Sequence, residues 1–391
     1  MKVESFQYLE NKGWGIKQFP DLDSEQTLVL IFASPIFKDN FEPINQLVKA
    51  YKKSKIIGCS TAGEIFGAKI FDNSLSVAVI KFTKTKIKLA EAKILEPKNS
   101  YSAGKSIAKT LDEPGLRSIF VLSDGLNVNG SELVKGLNTI NEEVIITGGL
   151  AADGPNFKNT WVICNGERLE HHAVAIGFYG ENVCFGHASK GGWDIFGPER
   201  RITRAEGNIL YELDNHPALS LYKEYLGERA SELPSSGLLY PLAIRDPSNK
   251  ESNQLVRTIL NVDEKAQSLI FAGDMPVGYY AQLMRANFDR LIVSASEAGE
   301  VAKNYYSEGA TNSHGVFALD ISCVGRRLLL GERTEEETEA TFDILPPGSL
   351  QIGFYSYGEL SPGGMRNCEL HNQTMTITTL NEKDLPRHGI A

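Results

Sequence analysis

The sequence predicts a mixed α/β protein of two modules, built from repeated strand-helix-strand units with mixed sheets and a ligand cleft between or within the modules. Two observations carry this. Three separate stretches run from an apolar strand through a helically spaced segment to a second apolar strand and a glycine turn. Two of those turns also share one pattern of Gly, four residues, Gly-Glu and a branched aliphatic: Gly58-Cys59-Ser60-Thr61-Ala62-Gly63-Glu64-Ile65 and Gly353-Phe354-Tyr355-Ser356-Tyr357-Gly358-Glu359-Leu360.

Taken in order, residues 1–26 read as an N-terminal extension with an edge strand and a loop. Leu28-Val29-Leu30-Ile31-Phe32 then begins the first unit, with Phe41, Ile44, Leu47, Val48 and Tyr51 at helical spacing and a strand at Ile56-Ile57. Alternation over Ser74–Phe82 and Ile87–Ile94 predicts two adjoining strands, followed by a helix from near Ala103. The second unit comprises Ile119-Phe120-Val121-Leu122, a helix carrying Leu133, Leu137 and Ile140, and Val144 to Gly149, with Asp153 as its acid. Strands at Trp161–Gly166 and Ala173–Gly180 suggest a hairpin. Pro217–Glu232 reads as a helix, and the junction between modules is placed at its start, giving modules of 27–215 and 216–380. Leu291-Ile292-Val293 leads to a helix through Glu297, Val301 and Tyr305. The third unit runs from Val316 to Ile321, through a helix opened by a capping box at Thr334 and Glu337, to Leu350-Gln351-Ile352. Residues 381–391 form a polar tail.

The 391 residues exceed one ordinary core, in line with two domains. A net charge of −9 argues against nucleic acid or an anionic membrane as the main partner, since either calls for a basic face. No apolar run is long enough to cross a bilayer and no secretory signal is recognised, so a cytoplasmic location is expected. Five cysteines, with no Cys-x-x-Cys spacing, suggest reduced thiols and no zinc knuckle. Gly104-Lys105-Ser106 lacks the earlier glycine of a phosphate loop.

A glycine turn followed by a carboxylate lets main-chain amides approach a ligand while the acid accepts from an ammonium or hydroxyl. The competing explanation is structural: tight strand exits, with each glutamate paired to an internal arginine.

Together, Gly58 to Ile65, Gly148-Gly149 with Asp153, Gly191-Gly192-Trp193, Cys323-x-Gly325-Arg326, Gly353 to Leu360 and His371-Asn372-x-Thr374 resemble the FIST domain family, as an N-terminal and a C-terminal module in tandem. The resemblance implies a sensory protein that binds a small ligand and signals through a histidine kinase, a cyclic-dinucleotide enzyme or a chemoreceptor. It also implies amino acids as ligands or, in one branch, haem and nitric oxide. No kinase, receiver, cyclase or chemoreceptor segment is recognised, so output is expected through a separate partner, with homodimerisation left open and catalysis not expected.

For a zwitterion, Glu64 and Glu359 are the expected ammonium acceptors and Arg326 the carboxylate fork. The alternative for Arg326 is an internal pair with Glu359 or Glu332. Backbone donors at Gly58, Gly149 and Gly353, with Ser60, Thr61, Asp153, Trp193, Tyr355, His371, Asn372 and Thr374, complete the candidate ligand set. Haem would need an axial ligand, for which His187, His314 and His371 are candidates, with Tyr355 behind them. An enzyme would use Cys59 or Ser60 as nucleophile, but Ala62 stands where a nucleophile elbow needs glycine.

Overall fold

The computed structural model describes residues 1–248, 254–303, 315–363 and 367–383. Each predicted unit forms a parallel strand pair, a geometry that requires a crossover rather than a tight turn. Thr27–Ala33 pairs with Lys55–Ser60, Leu116–Ser123 with Ile145–Leu150, and Phe317–Cys323 with Leu350–Ser356. Helices Glu42–Ala50 and Gly130–Leu137 make the first two crossovers, while Val324–Leu330 and Thr334–Phe342 share the third. Glu42–Ala50 carries Pro43 in its first turn and buries Ile44 and Leu47; Gly130–Leu137 is capped by Asn129, whose side chain accepts from the Glu132 amide at 3.1 Å. A third strand joins each pair antiparallel: Ser74–Lys81, His172–Tyr179 and Met375–Glu382.

The segment after each second strand crosses to a neighbouring sheet. Glu64–Phe66 pairs with Leu350–Ser356, Gly358–Pro362 with Ile145–Leu150, and Val162–Cys164 with Lys55–Ser60. Lys86–Lys93 leaves the first unit to flank His172–Tyr179, and Val183–Lys190 leaves the second to flank Met375–Glu382. The three sheets, of seven, six and six strands, are thus laced into a ring. Their inner faces meet in one core, to which the units contribute Leu30 and Phe32, Phe120 and Leu122, and Phe317, Ile321 and Phe354.

This lacing corrects several expected pairings. Ser74–Lys81 and Lys86–Lys93 lie in different sheets, as do Val162–Cys164 and His172–Tyr179. Apolar alternation marks a strand without naming its partner. The first crossing is fixed by Glu382, whose carboxylate accepts from the amides of Thr83, Lys84 and Thr85 at 2.8, 2.8 and 2.6 Å. Asn381 and Glu382, assigned by sequence to a polar tail, are therefore the end of a strand; residues 384–391 lie outside the described residues. Leu291 to Val293 belong to the helix Phe288–Lys303, which buries Leu291, Ala295, Ala298 and Ala302 at helical spacing. Its expected continuation at Tyr305 lies outside the described residues.

Gly58, Gly148 and Gly353 occupy the same place in the three units. A Cβ there would stand 2.2, 1.8 and 1.9 Å from the carbonyl oxygens of Ile31, Val121 and Asp320, their partners in register. These glycines let the parallel strands approach each other.

A fourth sheet, of eight strands between Asp194 and Arg285, is inserted between the second and third units and carries helix Ala218–Leu226. The junction expected at His216 falls inside it, where His216–Pro217 pairs with Ile209–Leu213. Arg257, buried, ties this sheet to the ring by donating to the Leu370 carbonyl at 2.9 Å.

Candidate functional site

Each unit turns a corner where its third strand begins, and a residue one or two before that strand's start has a positive φ: Asn73 at 54°, His171 at 58° and Gln373 at 59°. An acid fixes each corner. In the first unit Glu64 accepts from the Thr61 hydroxyl, and from the Ser74 hydroxyl and amide at 2.7 and 3.2 Å. In the third Glu359 accepts from the Ser356 hydroxyl at 2.8 Å, and from the Thr374 hydroxyl and amide at 2.9 and 3.2 Å. The second unit uses Asp124, after its first strand, to accept from the His171 amide at 3.0 Å. Burial pushes the Glu64 and Glu359 carboxyls up to about 8, against the hydrogen bonds that lower them.

The corners differ in what lies over them. Beside the first is a cavity of about 650 Å³, walled by Thr61 to Glu64, Asp72, Asn73, Asp153 to Asn156, and the third unit's Val324, Arg327 and Glu335. Arg327 clamps the Asp72 carboxylate with two bonds of 2.9 and 2.7 Å and donates to the Ala62 carbonyl at 2.6 Å. Asp153 accepts from the Lys158 and Asn159 amides at 2.9 and 2.8 Å and from the Tyr357 hydroxyl. The third corner is packed shut. Trp193 donates to the Gln373 carbonyl at 2.9 Å and is buried with Met284, Leu291 and Leu330.

Arg326 lies within that packing. Its guanidinium pairs with Glu337 and donates to the carbonyls of Gly191 at 2.6 Å and Leu291 at 2.7 Å, with both charged side chains fully buried. The internal partner is thus Glu337, not Glu359 or Glu332. This also replaces the expected capping box: Arg333 precedes the helix without a side-chain cap, and Glu337 turns inward to Arg326, Ser322 and Tyr355.

Of the sequence-derived set, Thr61, Glu64 and Asp153 meet at the cavity. Glu359 is not part of its wall, so the two glutamates do not share one hollow. Gly58, Gly149 and Gly353 are strand residues, and the Ser60 hydroxyl accepts from the Trp161 amide at 3.1 Å. The Tyr355 hydroxyl donates to Glu337 at 3.0 Å; His371, Asn372 and Thr374 are buried around the third corner. Asp72, Asn73 and Arg327 were not singled out by sequence, although Arg327 directly follows the Cys-x-Gly-Arg motif and Asn73 precedes the Ser74 strand.

Cys59 faces the central core, where burial and then Glu64 hold its thiol well above the ordinary range. His371 Nε2 lies 3.1 Å from the Ser361 carbonyl oxygen, and burial lowers both His371 and His187 to about 4. His314 lies outside the described residues. Haem iron takes an axial His, Cys, Met or Tyr. Among the described residues the 650 Å³ cavity presents none of these, so its wall does not fit haem.

The sequence matches the FIST N domain over residues 27–216 and the FIST C domain over residues 218–362. The chain belongs to the FIST family. FIST domains are small-ligand sensor domains, and no helix among the described residues is long and apolar enough to cross a membrane. This FIST protein is also similar to the uncharacterized protein MJ1623 of Methanocaldococcus jannaschii, 24% identical over 364 residues. That match covers 85% of this chain and spans 66%, just under two thirds, of the relative's length.

Proposed function

We propose that this FIST protein senses a small polar ligand of amino-acid size in the cavity beside Glu64, and signals through a separate protein such as a histidine kinase, a cyclic-dinucleotide enzyme or a chemoreceptor in the cytoplasm. One observation carries the reading: the first and third corners share a hydrogen-bond scheme, yet only the first has its acid on the wall of the 650 Å³ cavity. That volume suits a small molecule with a few ordered waters. Thr61, Glu64, Asp72, Asn73, Asp153 and Arg327 supply its polar contacts. Because the wall draws on all three units, a ligand that bridges them favours one arrangement of the ring, and a partner that distinguishes arrangements reads its presence.

A thermal-shift screen against amino acids and related small polar molecules tests this. A ligand at about a hundred times its dissociation constant adds about 2.7 kcal/mol of stability. Leu328→Trp places an indole at the cavity wall from a half-exposed position and is expected to abolish the shift, and Asp72→Asn to reduce it. Shifts unchanged in both variants would move the ligand elsewhere.

A further inference from the structure

A second hollow, of about 270 Å³, lies at the seam between the ring and the inserted sheet, where Gly125 and Leu126 follow Asp124. Its wall brings aromatic rings that the first cavity lacks. Aromatic wall comes from Phe157 and Tyr357, and aliphatic wall from Leu126, Val128 and Leu260, while Phe271 lies behind it fully buried. The polar groups among them are already engaged: Asn129 donates to Asp274 at 2.9 Å and Asn208 to the Phe271 carbonyl at 2.7 Å, while the Tyr357 hydroxyl sits between the Asp153 carboxylate and the Gly154 carbonyl.

The rim adds an independent observation. Phe157 holds a φ of 52°, a strained backbone for a bulky residue, and its amide is fixed by the Tyr357 hydroxyl oxygen at 3.2 Å. Its ring stacks on Tyr357 at 4.4 Å and 8°, yet stays 45% exposed, and Leu260 nearby is 44% exposed. Stacking on Tyr357 leaves nearly half of the Phe157 ring open, and a guest that covers it gains that contact.

We propose that this seam is a second ligand site, for a small aromatic molecule without a strongly charged group. The hollow accepts one or two fused rings, which contact the half-exposed ring of Phe157 and the neighbouring Tyr357, where offset and edge-on geometries are favourable. The site is a separate hollow from the first cavity, joined to its wall through the hydrogen bonds of the Tyr357 hydroxyl to Asp153 and Gly154.

Ligand-observed saturation-transfer NMR on the full chain, with indole as probe, tests the proposal without interference from the three tryptophans of the protein. Saturable indole binding is expected, weakened at least about fivefold in Phe157→Gly, which removes the ring and relieves the positive φ. Binding is expected to vanish in Val128→Trp, which fills the hollow. Cyclohexanol, of similar size but without a π face, is expected to bind at least about fivefold more weakly than indole. Absence of saturable indole binding to the unaltered chain overturns the site, and so does binding that Phe157→Gly leaves unchanged. Cyclohexanol binding as tight as indole overturns the aromatic preference. Should Val128→Trp fail to fold, Phe157→Gly alone decides, because it alters an exposed ring.

Discussion

A carboxyl group bonded to a hydroxyl three residues back and to an amide at the start of a later strand, Ser74 within it or Thr374 just before it, occurs twice, at Glu64 and Glu359. Burial dominates both and keeps each proton on up to about pH 8, whereas an unfolded glutamate releases it near the ordinary 4.5. Between those limits the folded chain binds more protons than the unfolded one, so stability falls as pH rises, by at most about 1.4 kcal/mol per pH unit for each group, and levels off above 8. Asp320, raised to about 7 by burial, adds to the same limb. His187 and His371 act oppositely: kept neutral to about 4, they remove stability as pH falls from 6.5. The melting temperature is therefore expected to decline from pH 6.5 to 8. The double variant Glu64→Gln, Glu359→Gln should flatten that decline while keeping the neutral hydrogen bonds. An unchanged slope would show that the two glutamates ionise in the folded chain much as they do when unfolded.

At the scale of elements, helices Val324–Leu330 and Thr334–Phe342 are held by two arginine pairs of different worth. Arg326 and Glu337 are wholly buried, and truncating one partner strands the other's charge in the core. Arg327 and Asp72 meet at the surface, with Asp72 65% exposed, and solvent screens them. In urea denaturation Glu337→Ala is expected to cost about 3–5 kcal/mol and Asp72→Ala about 0–1 kcal/mol. Equal costs would contradict the burial difference. The same helices show what sequence reading reaches. Apolar runs identified the strands of all three units and apolar spacing the helices of the first two, because a two- or nearly four-residue repeat is local information. The Thr334 to Glu337 spacing marked a helix start correctly, but Glu337 spends its carboxylate on Arg326, which no local pattern encodes. Glycines 58, 148 and 353 were legible as special positions. Their reason is a neighbouring carbonyl supplied by another strand, which sequence cannot display. Arg327 escaped notice because its role comes from Asp72, brought close only by the lacing of sheets.

That lacing governs the behaviour of the whole molecule. Although the FIST N and FIST C matches divide the sequence near residue 217, strands from the two sides complete each other's sheets at three places. A fragment of residues 1–215 leaves Glu64–Phe66 without Leu350–Ser356, Ile145–Leu150 without Gly358–Pro362, and Val183–Lys190 without Met375–Glu382. It also removes Phe317, Leu319, Ile321, Ile352 and Phe354 from the central core. Burial of five such side chains contributes roughly 7–15 kcal/mol, which is as large as the whole stability of an ordinary domain, about 5–15 kcal/mol. The fragment is therefore expected to lack a cooperative thermal transition, and so is its complement, 216–391. Mixed or co-expressed, the two should associate and regain the transition of the intact chain, because the pairing needs no covalent link at residue 216. Circular dichroism melts of each fragment and of the mixture measure this. A sharp independent transition in 1–215 would mean that the shared strands are dispensable, and a ligand bound at the ring would then have no route from one FIST domain to the other.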